Sequence, residues 1–156
     1  TQGSNDLGCV LNAQGRSFYF RIDRRHAGIN TWYAGFGWLD GKQIEASSAS
    51  IKQDKQPILT NDQRYQLTIE VRRDGLRALL DGKLLVSWTG DWQRLSINDS
   101  AERLPDATRL GLINYSRAAT YHGIQVREVT GRGTLGPAVS PINPQHLNSD
   151  PQTPPK

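Results

Sequence analysis

The sequence predicts an all-β protein, an antiparallel two-sheet β-sandwich of jelly-roll type. Apolar and polar residues alternate with a period of two in several short segments, as in strands that have one buried and one solvent-facing side. Turn sequences such as Asp-Gly separate these segments, and no segment has the periodicity of an amphipathic helix. About eight short strands without helices are typical of two antiparallel sheets packed face to face.

Two segments near the start of the chain predict the first strands. Residues 7–11 are mostly apolar, and residues 17–23 place Phe18, Phe20 and Ile22 on one face. A turn is expected between them, at Asn12-Ala13-Gln14-Gly15. The periodicity then fades over residues 24–63, which predicts long loops with short edge strands. In that region the expected core contributors are Ile44, Ala49, Ile51, Ile58 and Leu59.

The clearest pattern is a three-stranded meander in residues 64–88. Its strands are residues 65–72, in which apolar and polar side chains alternate, and residues 76–80 and 83–88. Asp74-Gly75 and Asp81-Gly82 separate them and are expected to supply the positive φ angles that hairpin turns require. The predicted sheet then has one polar face and one apolar face, and the apolar face must pack against a second layer.

The region after the meander predicts two more strands. Residues 91–95 form a short strand or turn, and residues 109–115 are nearly continuously apolar, as in a strand buried on both faces. Gly111 suits a crowded position there. Residues 120–129 alternate again, which makes His122 a half-buried strand residue rather than a ligand.

The chain divides into a β-sandwich domain, residues 1–130, and a tail, residues 131–156. Six of the eight prolines lie in the tail, which has no aromatic residue and is predicted to be a disordered segment or linker. No strand is visible before Leu7, and the chain has no methionine. These observations suggest a processed protein or an excised fragment that lacks the first strand of its domain.

Composition excludes several classes of function. The net charge of +4 comes from 19 basic and 15 acidic residues that are interspersed, whereas nucleic-acid binders cluster their basic residues. No apolar run is long enough to span a membrane. Cys9 is the single cysteine and is expected to be buried, so neither a disulfide nor a cysteine-based metal site is predicted. No cofactor is predicted.

The chain resembles the concanavalin A-like, laminin-G-like jelly-roll modules of large bacterial multidomain proteins. The resemblance covers about residues 3–133 and is carried by residues 4–23, by the glycine-rich segment 35–42, by the meander and by Leu110-Gly111-Leu112. It implies a non-catalytic module beside another domain, which binds carbohydrate or a protein partner, and it favours an extracytoplasmic or cell-surface location. A weaker similarity to 3-keto-disaccharide hydrolase-type domains implies the same fold, without catalytic residues that can be placed here.

Aromatic side chains give the candidate binding residues, because flat rings stack on the apolar faces of sugars. Four aromatics crowd residues 32–38, and the exposed ring is expected to be Trp32 or Tyr33, with Trp38 as a packing residue. Trp88 is expected in the core and Trp92 at the surface. The predicted ligand-binding residues are Trp32, Tyr33, Trp38, Asp40, Trp92, Asn114 and Tyr115.

The first hypothesis is therefore a non-catalytic binding module, with carbohydrate as ligand and a protein or neighbouring domain as the next choice. The second is a glycoside hydrolase-like enzyme that brings acids such as Asp23, Asp40 or Glu45 together by folding, because no strand carries a ready pair of carboxylates. The third is a purely structural spacer. No catalytic or metal-binding residue is predicted.

Overall fold

A computed structural model of the chain describes residues 6–25, 31–54, 56–97, 103–106, 108–115 and 118–128. The predicted tail, residues 131–156, lies outside the described residues. The strands are β1 (Asp6–Ala13), β2 (Arg16–Arg25), β3 (Thr31–Gly37), β4 (Ser50–Asp54), β5 (Leu67–Arg72), β6 (Gly75–Leu80), β7 (Lys83–Thr89) and β8 (Gly111–Tyr115). Two short 3-10 turns, Ile44–Ala46 and Trp92–Arg94, accompany them.

The strands form two sheets, so the all-β two-sheet sandwich is confirmed. One sheet has the order β4-β3-β2-β1-β8 and the other β5-β6-β7, and each of these pairings is antiparallel. Apolar side chains from both sheets meet in one core, which includes Phe18, Phe20, Ile22, Ala34, Phe36, Leu76, Ala78, Val86 and Trp88. No helix of the described residues is long and apolar enough to cross a membrane.

The meander is present as predicted, but its two turns differ from each other. Asp81 and Gly82 have φ angles of 50° and 74°, as the hairpin turn between β6 and β7 requires. Gly75 instead begins β6 with an ordinary φ, so the prediction of positive φ at Asp74-Gly75 is wrong. The carbonyl oxygen of Trp88 lies where a side chain of residue 75 would begin, so this glycine permits close approach of two strands.

The prediction of long loops over residues 24–63 is wrong, because β3 is an interior strand between β2 and β4. Its alternation is hidden because both of its faces are covered. Ala34 and Phe36 point into the core, whereas Gly35 and Gly37 on the other face are also buried. The core contributors predicted in this region are confirmed, since Ile44, Ala49 and Ile58 are buried and Ile51 and Leu59 pack against the core.

The predictions for the last two strands are partly wrong. β8 is an edge strand rather than one buried on both faces, and Leu112 and Tyr115 are 44% and 61% exposed. Gly111 does occupy a crowded position, where a Cβ atom would lie 2.8 Å from the Leu104 side chain. Residues 120–128 form no strand and His122 is exposed, because alternation specifies a face but does not supply a partner strand.

Cys9 is buried in β1, as predicted, and burial raises the pKa of its thiol to about 11. We therefore expect no measurable reaction of the native protein with Ellman's reagent at pH 8, because the thiolate is the reactive form. The same protein in denaturant should react fully, since an exposed thiol has a pKa near ~8.5. Rapid labelling of the native protein would contradict the burial of Cys9.

Candidate functional site

The predicted ligand-binding residues lie in three separate places rather than on one surface. Trp32 and Tyr33 lie early in β3, Trp38 and Asp40 follow its end, and Asn114 and Tyr115 end β8. Two strands separate β8 from β3 in the sheet, which places those strands roughly 14 Å apart. A single ligand of modest size therefore contacts only one of these groups.

Trp32 and Tyr33 point to opposite sides of the five-stranded sheet. Trp32 is partly buried and packs against the core cluster, so it does not present the free ring that the sequence suggested. Tyr33 is also partly buried, on the other face, where it pairs in register with the buried Asp23 of β2. These two rings contribute mainly to packing.

A short two-stranded ladder organises the end of the sandwich that follows β3. Trp38 and Ser96 exchange backbone hydrogen bonds of 3.0 and 2.9 Å, and the amide of Asp40 donates to the carbonyl oxygen of Arg94 at 3.0 Å. Leu39 and Leu95 pair between them and are 1% and 0% exposed. Because neighbouring residues of an extended chain alternate sides, Trp38, Asp40 and Arg94 point away from the core.

The outward-facing residues of this ladder and its turns form what we call the Asp40 rim, namely Trp38, Asp40, Lys42, Gln93 and Arg94. Asp40 and Gly41 occupy a tight turn, with φ angles of 53° and 69°, closed by hydrogen bonds between Leu39 and Lys42. The Asp91 carboxylate accepts from the Gln93 amide at 2.9 Å and caps the adjoining 3-10 turn. Both turns are thus held by local hydrogen bonds.

Asp40 and Arg94 form a bidentate ion pair at the centre of the rim. The Nε and Nη2 atoms of Arg94 donate to the two carboxylate oxygens of Asp40 at 2.8 and 2.6 Å. This bond lowers the pKa of Asp40 and raises that of Arg94, so both groups stay charged across the physiological range. Both side chains are 43% exposed, which leaves them accessible to a ligand.

Sequence reasoning identified Asp40 but missed Arg94 as its partner. The two residues are 54 positions apart, and neither segment carries a pattern that points to the other. Only the pairing of residues 38–40 with residues 94–96 brings them together.

Trp92 is buried, so the expectation that it shows a face to solvent is wrong. Its indole N–H donates to the carbonyl oxygen of Arg73 at 3.0 Å, and its ring packs against Phe18 and Trp88 with centroid distances of 5.9 and 5.8 Å. Trp88 is in the core, as predicted. The polar edge of the indole finds a backbone partner, which allows the whole side chain to leave water.

Asn114 and Tyr115 are exposed at the end of the edge strand β8. The Tyr121 hydroxyl donates to the carbonyl oxygen of the preceding residue, Ile113, at 3.3 Å. Among the described side chains, none of the ion pairs observed lies at Asn114 or Tyr115, in contrast to the pair of Asp40 and Arg94. This surface therefore lacks the fixed polar groups of the Asp40 rim.

Asp23 and Asp40, the two of the acids named for an enzyme whose side chains are described, do not form a pair. Asp23 pairs with Tyr33, and Gly37 lies four residues farther along β3, which is roughly 13 Å before Asp40 is reached. A retaining glycosidase needs carboxyl groups about 5–5.5 Å apart. The side chain of Glu45 lies outside the described part of the chain. Among described residues, no group of three His, Cys, Asp or Glu side chains could hold a metal.

Comparison with known proteins gives no relative for this chain. No family model, curated protein or solved structure matches it.

Proposed function

We propose that this chain is a non-catalytic carbohydrate-binding module whose ligand contacts the Asp40 rim. The observation that carries the proposal is the bidentate Asp40 and Arg94 pair, held beside Trp38 on the outside of the sandwich. Binding modules for sugars need a few fixed polar groups next to an apolar ring surface. The resemblance to concanavalin A-like modules stands as part of the same proposal.

Asp40 and Arg94 retain hydrogen-bonding capacity after they bind each other. Each oxygen of Asp40 accepts one hydrogen bond from Arg94 and has a second lone pair for a sugar hydroxyl. Arg94 uses two of its five N–H groups in the pair and has others to offer. Adjacent hydroxyls of a sugar ring, which both donate and accept, match such a mixed set.

Trp38 supplies the apolar part of the surface. Its backbone is fixed to Ser96 by two hydrogen bonds, and its side chain is partly buried, so stacking a sugar on it costs little additional conformational entropy. Gln93 and Lys42 are exposed on either side and extend the polar surface. A shallow, exposed surface of this kind fits a weakly bound saccharide rather than a deeply enclosed substrate.

The test is binding of the purified chain to an array of immobilised glycans, followed by titration calorimetry with a soluble oligosaccharide from the best class. Trp38→Ala should abolish measurable binding. Asp40→Asn should weaken it by about 10-fold or more, because a hydrogen bond to a charged group contributes roughly 1.5–3 kcal/mol. Affinity should change little between pH 5 and 8, since the lowered pKa keeps Asp40 ionised over that range.

Tyr115→Ala is the matched control, because Tyr115 is an exposed aromatic that lies away from the rim. It should leave glycan binding unchanged. Loss of binding in Tyr115→Ala but not in Trp38→Ala would move the site to β8. An array without any bound glycan would contradict the carbohydrate assignment and favour a protein partner.

A further inference from the structure

One side of the sandwich has two open strand edges. β8 ends the five-stranded sheet, and β5 ends the three-stranded sheet at the side opposite β7. Since β7 packs against β3 and β4, β5 lies toward the side of β1 and β8. Within the described ranges no further strand pairs with either edge. We call the free edges of β5 and β8 the open side.

Apolar side chains that point into the sandwich are incompletely covered on the open side. Leu112 pairs with Cys9 and shares its inward orientation, yet Leu112 is 44% exposed whereas Cys9 is 8% exposed. On β5 the inward-facing Leu67, Ile69 and Val71 are only partly buried. Residues in corresponding positions of β6, such as Leu76 and Ala78, are completely buried.

The segment of residues 118–128 has the sequence of a strand without the pairing of one. Ile124 and Val126 alternate with Gln125 and Arg127, and the two apolar side chains are 59% and 72% exposed. The segment contains no proline, so every residue can donate to a β-ladder. Tyr121 interacts electrostatically with Cys9 of the core, whereas Ile124 and Val126 remain mostly exposed.

The start of this segment is held beside the open side. The Tyr121 hydroxyl donates to the Ile113 carbonyl oxygen of β8, and His122 Nδ1 lies 3.3 Å from the guanidinium of Arg64, which precedes β5. If the segment continued from the Arg64 end along β5 of its own chain, the two strands would run parallel. Every strand pair in the structure is antiparallel, and antiparallel pairs are also the more stable kind.

We propose that residues 123–128 of a second copy of this chain add to the free edge of β5, reciprocally, and form a symmetric dimer. A second copy can approach from the Arg72 end of β5 and pair in the antiparallel direction. Reciprocal exchange of one surface is the usual form of a two-fold interface. The dimer would extend both three-stranded sheets by one strand and cover both open sides.

The two surfaces match in pattern and charge. Ile124 and Val126 are two residues apart, as are the inward-facing residues of β5. When the two strands pair, the side chains of Ile124 and Val126 can therefore lie on the same apolar face as those of β5. The residues between and after them, Gln125 and Arg127, then lie on the outer face with Thr68 and Glu70. Glu70 makes only a long contact of 3.7 Å with Arg77, and a basic partner strand would complement its charge.

The first test is sedimentation velocity of the full chain over a range of concentrations. The wild-type protein should dimerise, and Val126→Asp should raise the dimer Kd by about 10-fold or more, because it places a charge in an apolar contact. Leu84→Asp is the matched control, since Leu84 is 49% exposed on β7, away from the open side. It should leave the Kd unchanged. A wild-type protein that is monomeric at every concentration would overturn the proposal.

The second test identifies the paired strands by disulfide formation in a Cys9→Ala background. Gln125→Cys is mixed in turn with Thr68→Cys and with Glu70→Cys. Pairing of residue 125 with either of these outward-facing positions of β5 keeps Ile124 and Val126 on the apolar face. One mixture should give a disulfide-linked dimer on a non-reducing gel, which neither single variant gives alone. A double variant that closes its disulfide within a monomer, with no cross-link in either mixture, would show that the segment binds its own β5 and would overturn the exchange.

Discussion

Replacing Phe20 with alanine is expected to lower the free energy of unfolding by about 3–5 kcal/mol, because the change removes a buried ring and leaves a cavity. Phe20 is completely buried in β2, an interior strand of the larger sheet. Its ring lies 5.4 Å from that of Phe36, centroid to centroid, and its backbone pairs with Cys9. Since domains of this size are stable by only ~5–15 kcal/mol, the variant should be close to unfolding.

Urea denaturation followed by far-ultraviolet circular dichroism measures this loss as a lower midpoint. Leu84→Ala is the control, because it also shortens an apolar side chain but at a site 49% exposed on β7. Its effect should stay within about 0.5 kcal/mol. Equal losses in the two variants would mean that the core does not lie between the sheets around Phe20.

The strands that the sequence predicted well each place apolar side chains at every second position, on the face that packs into the core. β2, β5, β6 and β7 show the period-two pattern, and Asp81-Gly82 fixes one hairpin by its backbone preference alone. These signals are local, so they can be detected without knowledge of the partner strand. They were sufficient to predict two antiparallel sheets.

β3 could not be predicted in this way, because its outward-facing residues, Tyr33, Gly35 and Gly37, are not charged or strongly polar and give no alternation with the inward-facing ones. Glycines at positions 35 and 37 fill outer-face positions where a side chain would collide with Ser50 and with the Tyr19 ring. A glycine-rich sequence therefore reads as a loop, although here it marks a crowded strand. The segment of residues 120–128 shows the opposite error, since its alternation is clear but no described strand pairs with it.

Only part of the Asp40 rim could be predicted from the sequence, for a related reason. Trp38 and Asp40 stand out in the sequence as an aromatic and an acid beside a turn, whereas Arg94 lies in an unremarkable polar segment. The contact between them depends on the pairing of Leu39 with Leu95, a non-local bridge that composition does not encode. Trp92 was misassigned because its neighbours are polar, although its own ring is enclosed by Phe18 and Trp88.

The second large loss of stability is expected on substitution of Trp92. Trp92→Ala should lower the free energy of unfolding by about 3–5 kcal/mol, since it removes a buried aromatic from contact with two other rings. Trp92→Phe keeps most of the apolar volume but removes the indole N–H that donates to the Arg73 carbonyl oxygen at 3.0 Å. The phenylalanine variant should therefore lose only about 1–3 kcal/mol, which is the cost of leaving a hydrogen-bonding group without its partner.

Trp92→Phe and Trp38→Ala together distinguish a residue that supports the rim from one that contacts the ligand. If Trp92 supports the 3-10 turn that carries Arg94 through the packing of its ring, which phenylalanine keeps, Trp92→Phe should bind glycans as the wild type does while its urea midpoint falls. Trp38→Ala should do the reverse, because its side chain is only partly buried and lies on the outer side of the ladder. A Trp92→Phe protein of wild-type stability that no longer binds glycan would show that the indole itself touches the sugar. Opposite responses of the two tryptophans would instead locate the contact surface on the outward side of residues 38–40 and 94, with the buried ring beneath it.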